Sequence, residues 1–419
     1  MIQTVAVHNK MLYRRAVPVG LRASSSWRVK SAVLLISVIS IVLVMLLLPR
    51  VSLADARAAS PDRAAQDGVG PIAPAGRMIF QEGGEWALSR KAADKVIKRI
   101  SAAGFNVYMP FVWHGGGSRW VSGLVAPEWE VRGLEFEGGF DPLAYSIERA
   151  HLAGIKVFPV FTVALRQVWG NVPASFLSQY YGPGTPEQAF NIHDPEFSKF
   201  MTSLILEVVT KYKVDGIVLD FIRSMGICTS PTCMTAYEKA TGKDLSRDRL
   251  VYGLDRDAAE RISRWNEAAI RTILEPVSSA CRKIKPAIVV AVHGADDPDS
   301  LLQGRNSIAW LNEGLVDMVS SYADPGLSSD IANTEKLMNR VVRPQALAII
   351  VTDYERRHRV GEKDRLRPRD GTAMARLVQS AQEQWPRSPI VVYLYEQLSD
   401  EQVAALGAGP FRKTGTAAK

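Results

Sequence analysis

The sequence is poor in histidine and cysteine: six histidines and three cysteines are scattered over 419 residues. Neither HxH nor HExxH occurs, so no imidazole-rich metal centre is expected, and no other cofactor either. Three cysteines cannot frame a disulfide scaffold. Cys228 and Cys233 stand close enough to bridge within one loop, while Cys281 sits in a helical pattern as a small buried residue. The run Gly115-Gly116-Gly117 is no GxGxxG and opens no helix, which argues against a dinucleotide-binding sheet. No repeat or collagen-like bias is present, and 47% hydrophobic with 22% charged residues is a globular composition.

Acidic residues are missing from positions 1–54, which hold seven basic ones (Lys10, Arg14, Arg15, Arg22, Arg28, Lys30, Arg50). Charge of either sign is missing from residues 32–48, AVLLISVISIVLVMLLL. A basic segment followed by such a run is an export signal, and the run is near the lower length limit for a membrane span. Small residues at Ser52 and Ala54 offer a cleavage site; uncleaved, residues 32–48 would anchor the chain to the inner membrane. The positive-inside bias then places the remainder outside the cytoplasm, periplasmic or at the cell surface. The net charge of +8 belongs to this leader, since without its seven basic residues 44 remain against 43 acids. Nucleic acid is therefore not an expected partner. Residues 55–76 are small, Pro- and Gly-containing and aperiodic, as suits a linker, and 407–419 are expected to form a flexible tail.

Between them one theme recurs, a helical segment and then a short apolar run. The expected strands are Met78 to Phe80, Asn106 to Phe111, Lys156 to Phe161, Gly216 to Phe221, Ile288 to Val292, Val316 to Ser320, Leu347 to Val351 and Ile390 to Leu394. Ser89 and Asp141 precede their helices as N-caps. Eight strands alternating with helices over 77–406 predict an α/β fold of the (β/α)8 TIM barrel type, preceded by the signal or anchor segment and linker.

Such barrels place their sites where strands end. The first strand leads to Gln81, Glu82, Glu85 and Trp86. The second leads to Trp113, His114, a glycine loop, Arg119 and Trp120; the third to Thr162, Arg166 and Trp169. Asp220 and Arg223 follow the fourth, and His293, Asp296 and Asp297 the fifth. The last three exits give Tyr322 and Asp324, then Asp353, Tyr354 and Glu355, then Tyr395 and Glu396. Carboxylates with aromatics at one rim describe a carbohydrate site, because sugar C–H faces stack on rings while hydroxyls need polar partners. Cleaving a glycosidic bond further needs a protonated acid and a second carboxylate.

VDGIVLDFIRS (214–224) is the sharpest segment. Asp220 ends an apolar strand, where a charge is costly unless it faces a pocket. Asp215, at the other end, is expected to be structural. The mate of Asp220 must come from another exit: Glu396, Asp353, Asp324 and Glu82 are eligible, with Glu396 favoured. Trp113, His114, Arg223, His293, Tyr322, Asp324, Asp353 and Tyr395 are the candidate substrate-binding residues, and GGGSRW reads as a flexible rim loop. Trp265 reads as core.

DGIVLD (215–220) resembles the fourth-strand motif of secreted bacterial glycoside-hydrolase-like barrels. That group includes hydrolases of peptidoglycan glycan strands and of poly-N-acetylglucosamine. GFNVYMPFVWHGGGSRWVS (104–122), LDFIRS with CTSPTCMTAYEKATGKDL (228–245) and LVDMVSSYADPG (315–326) resemble further segments of the group in the same order. The resemblance implies cleavage of an extracytoplasmic polysaccharide containing amino sugars. A glycan-binding barrel without turnover, serving polysaccharide assembly, is the alternative. Chitinase-type barrels carry D-G-x-D-x-D-x-E on this strand; here Ile222 stands at the final Glu, which excludes that mechanism.

Overall fold

The structure is a computed structural model, described over residues 76–166, 172–178, 180–181, 189–294, 301–322, 328–357 and 365–412. The expected leader, anchor and most of the linker lie outside the described residues. Among the described residues, no helix is long and apolar enough to cross a membrane.

Eight strands form the barrel: β1 (Arg77–Gln81), β2 (Val107–Trp113), β3 in two pieces (Lys156–Val157 and Val160–Thr162), β4 (Gly216–Asp220), β5 (Val289–His293), β6 (Met318–Tyr322), β7 (Leu347–Thr352) and β8 (Ile390–Tyr393). Pro159 falls at the break in β3, where its missing N–H leaves a gap in the ladder. All barrel pairings are parallel. Strand β1 pairs with both β8 (Arg77 opposite Ile390) and β2 (Met78 opposite Val107), which closes the sheet. The (β/α)8 barrel read from the sequence is present.

Parallel strands are covered on both faces, hence their nearly continuous apolar runs. Alternate residues feed two cores. Met78, Phe80, Met109, Phe111, Val160, Val218, Ala291, Met318, Ile350 and Val391 point into the barrel. Ile79, Tyr108, Phe161, Leu219, Val292, Val319, Ile349 and Val392 face the helices.

The covering helices are α1 (Arg90–Ala102), α2 (Pro142–Leu152), α3 (Pro195–Lys211), α4 (Arg256–Ile284), α5 (Ser307–Asn312), α6 (Ser328–Met338), α7 (Gly371–Gln384) and α8 (Asp400–Ala408). In α1 the buried residues Ala93, Val96, Ile97 and Ile100 recur at helical spacing and make one apolar stripe. The side chains of Ser89 and Asp141 accept from the first-turn amides of α1 and α2, as expected of N-caps. After β4 an insertion carries helices Pro231–Thr241 and Leu245–Val251. It has its own small core, built on Cys228, Cys233, Tyr237 and Trp265, and Cys228 and Cys233 form a disulfide. Trp265 stacks on His193 at 3.4 Å between ring centroids. Asp215 at the opposite end of β4 accepts from the Val157 amide and lies 2.8 Å from His151 Nε2, a structural role.

Of the flexible tail expected over 407–419, residues 407–412 are folded and the rest lie outside the described residues. Helix α8 runs to Ala408, and Phe411 is buried against Phe105. Gly104 takes φ +84°, and a Cβ there would lie 2.3 Å from the Phe411 carbonyl, so this corner tolerates only glycine. Phe411→Ala is expected to cost about 3–4 kcal/mol in urea denaturation. A loss below about 0.5 kcal/mol would show that the segment is no part of the core.

Candidate active site

The inward alternation of β1 runs Met78, Phe80 and then Glu82, just beyond the strand end. On β4 it runs Val218 and then Asp220. Both carboxylates thus come to the C-terminal mouth of the barrel, where the charge of Glu82 acts on Asp220 and on Glu396. Asp220 is buried; desolvation pushes its carboxyl up to about 7, and the charge of Glu82 adds to the push. The Phe221 amide donates to Asp220 Oδ1 at 2.8 Å, and the charges of Arg305 and Arg223 work in the opposite direction. Immediately after Asp220 the chain turns sharply: Phe221 has φ +47°. A bulky residue in the left-handed region stores strain that its surroundings must hold. That kink breaks the alternation and sends Ile222 into the outer core.

Glu82 is half-buried, and burial raises its proton affinity. Two groups favour its ionised form, the Tyr393 hydroxyl, which donates to Glu82 Oε1, and the charge of Arg119. Beside it, Glu396 accepts from the Gly83 amide at 2.6 Å. Glu396 is exposed in area but crowded by protein; desolvation, then the charges of Glu82 and Glu85, push it up to about 7. The favoured catalytic candidate Glu396 is thus near the site, holding the turn after β1, while the charge that bears on Asp220 is that of Glu82.

Trp113 is not a rim residue. A register shift between Phe111 and Trp113 inserts an extra position into β2. The indole turns outward onto Phe200 of α3, fully buried. The shift returns His114 to the inner face, where it stacks on Phe111 (4.8 Å, 12°) with Nε2 3.3 Å from the Glu82 carbonyl. The glycine loop is likewise buried rather than flexible, since every residue from Phe111 to Trp120 is inaccessible.

His293 is a satisfied interior histidine. Its Nδ1 lies 2.9 Å from Ser320 Oγ, its ring meets Phe80 edge-on at 4.7 Å, and it lies parallel to Tyr393. Burial, with the charges of Arg305 and Arg223, holds its pKa down to about 3, so it is neutral at ordinary pH. Asp353 is fully buried and fixes the β7–β8 junction: Oδ1 accepts from the Leu394 amide at 2.8 Å, and its carbonyl accepts from Gln402. Burial, with the charge of Glu396 adding to it, pushes its carboxyl up to about 7, and its Oδ2 is buried without a hydrogen-bond partner among the described residues. Tyr395 packs against the outer core. Arg223, three residues beyond the end of β4, lies over the Phe221 ring at 5.6 Å. Tyr322 ends β6, which places it at an exit; Asp324, Trp169, Asp296 and Asp297 lie outside the described residues.

Arg305 and Tyr393 are absent from the strand-exit residues read from the sequence, and Arg119, which stands among them, is absent from the candidate substrate-binding residues. Tyr393 could have been found, for it continues the inward period of Val391, as Glu82 continues that of Phe80. Arg305 comes from a loop and carries no periodic signal. Among the described residues, no group of three or more His, Cys, Asp or Glu side chains has the arrangement to hold a metal ion.

Asp220 holds its proton more tightly folded than unfolded. Its contribution to stability is therefore lost as pH rises from about 4, the ordinary aspartate value, through about 7. Asp220→Asn cannot ionise and is expected to be more stable than wild type by about 2–4 kcal/mol near pH 8. The gain should vanish as pH approaches about 4. Equal urea midpoints at the higher pH would contradict this burial.

Among solved structures, α-L-fucosidase isoenzyme 2 from Paenibacillus thiaminolyticus aligns with 16% identity and TM-score 0.51, over 80% of this chain and 48% of that one. This chain therefore spans about half the length of the fucosidase. The catalytic domain of β-amylase from Paenibacillus polymyxa aligns with 10% identity, TM-score 0.47 and coverage of 80% and 96%. A chitinase from Pseudoalteromonas aurantia aligns with 12% identity, TM-score 0.41 and coverage of 80% and 99%. No curated protein matches the sequence. The model of the glycosyl hydrolase-like 10 family matches residues 82–352, more than half of the chain and all strand exits from Glu82 to the end of β7, and the chain belongs to that family.

Proposed function

We propose that the protein hydrolyses glycosidic bonds, with Asp220 as general acid and Glu82 as its partner carboxylate. The observation that carries this reading is placement: Glu82 and Asp220 each stand one step beyond the last inward-facing apolar residue of a parallel strand, β1 and β4, at the same mouth of the barrel. There the charge of Glu82 raises the proton affinity of Asp220. Two carboxylates in unlike surroundings divide the work of acid and base. Asp220 is buried and keeps its proton up to about pH 7, as an acid must to protonate the leaving oxygen. Glu82 accepts from Tyr393 and faces the charge of Arg119, both of which favour its ionised form against the burial that raises its proton affinity; in this reading it meets the positive charge developing on the sugar.

The substrate we infer is a carbohydrate polymer outside the cytoplasm, containing amino sugars. The charge-free run at 32–48 supports export or anchoring, and the ordered resemblance to secreted barrels supports the sugar class. Arg223, just beyond β4, is suited to hold a sugar hydroxyl or carboxylate. A non-catalytic glycan-binding barrel is the second reading, favoured by Ile222 standing where chitinase-type barrels carry their acid.

Incubation of wild type with amino-sugar polysaccharides is expected to release reducing ends, with a bell-shaped pH dependence whose upper limb lies near 7. Asp220→Asn and Glu82→Gln should each lower the rate at least about 100-fold, the scale of general acid–base catalysis, while both stay folded. Full activity in either variant would remove that residue from the mechanism. Glycan binding by wild type without any reducing-end release would decide for the second reading.

A further inference from the structure

The turn after β1 is braced from behind by a buried ion pair. Arg119 and Glu128 are each almost inaccessible. Arg119 Nε donates to Glu128 Oε2 at 2.7 Å, and Nη2 reaches Oε1 at 3.4 Å. Arg132 donates to the same Oε1 at 2.7 Å. These partners hold the Glu128 carboxyl down to about 2, against the opposing effect of its burial. The remaining donor of Arg119, Nη1, is spent on two backbone carbonyls, Glu82 at 2.6 Å and Phe111 at 2.8 Å. His114 adds a second contact to the Glu82 carbonyl.

The glycines of this region are the space in which the brace fits. A Cβ on Gly117 would lie 2.7 Å from the Glu128 backbone, and one on Gly84 would lie 3.0 Å from Arg119 Nε. Glu82 itself is followed by Gly83 and Gly84, so its own chain supplies little stiffness. The stiffness comes from Arg119, which a fork-shaped guanidinium can give and an ammonium cannot.

We propose that Arg119, oriented by Glu128, is a positioning residue that pins the Glu82 carbonyl and thereby aims the Glu82 carboxylate across the mouth toward Asp220. The proposal rests on Glu82 and Asp220 being the catalytic pair. Arg119 does not face substrate; it acts through the peptide of Glu82 and, by its charge, on the proton affinity of that side chain. The other titratable groups facing Glu82 are Tyr393 from β8, Glu396 beyond β8, His114 at the end of β2 and Asp220 from β4.

The test compares Arg119→Gln with Arg119→Lys in the full-length protein. Arg119→Gln removes both geometry and charge. It is expected to lower kcat about 10–100-fold, the scale of supporting contacts, with KM changed less than about threefold. The acidic limb of the pH profile should move up. Arg119→Lys keeps the charge, so kcat should fall while the limb stays. The carboxyl-carbon NMR titration of Glu82, assigned with Glu82→Gln, should move up in Arg119→Gln alone. An unmoved Glu82 titration in Arg119→Gln overturns the proposal, whether or not any glycan is turned over. Inactivity of wild type on glycans overturns the proposed function and leaves that titration to decide the brace. If the Arg119 variants do not fold, Gly84→Ala presses on the guanidinium from the half-exposed side. A lower kcat at unchanged melting temperature supports the brace, and an unchanged kcat overturns it.

Discussion

The pairing of β1 with β8, Arg77 opposite Ile390, turns a sheet into a barrel, and the site depends on it. Closure leaves no edge strand and forces every second side chain into a shared interior. Where the strands end, that interior opens, and the residues one step beyond the last apolar pair meet there. Glu82 follows Phe80 from one side of the seam, and the Tyr393 hydroxyl reaches it from the other. Asp220 comes from β4, three strands round from β1 by way of β2 and five by way of β8. No local segment contains this meeting.

The mouth is costly to maintain. A buried carboxyl such as that of Asp220 survives by holding its proton, and a left-handed Phe221 needs surroundings that leave it no alternative. Around them His293 is held against Ser320, and one oxygen of Asp353 accepts from the Leu394 amide. Arg119 and Glu128 take charge out of water, which is tolerable because the fork and its carbonyl partners use most of their hydrogen-bonding capacity.

Much of this was legible. The eight apolar runs, their spacing and the N-caps at Ser89 and Asp141 follow from local propensity and burial on both faces. Asp220 stood out because a charge closed an otherwise apolar strand. The misreadings have particular causes. Trp113 was placed at the rim on an unbroken strand, and one inserted position in β2 turns it outward. Asp353, an exit acid in the sequence, gives one carboxylate oxygen to the Leu394 amide just beyond β8, a tie that no local pattern reveals. The glycine triplet looked flexible because glycine alone does not tell whether space is open or filled; here it is filled by Arg166 and Glu128.

The sequence by itself determined that this chain folds as a barrel, because periods of two and of nearly four residues are local properties that each segment carries alone. It determined also that the exits are acidic and aromatic, and that Asp220 sits at one of them. Which side chains meet Asp220 at the mouth was decided only by tertiary structure. Glu82 and Asp220 lie more than a hundred residues apart, and their coupling depends on barrel closure, the brace behind Glu82 and the burial that shifts both proton affinities. Distance, dielectric and orientation belong to the folded chain, and no local pattern encodes them.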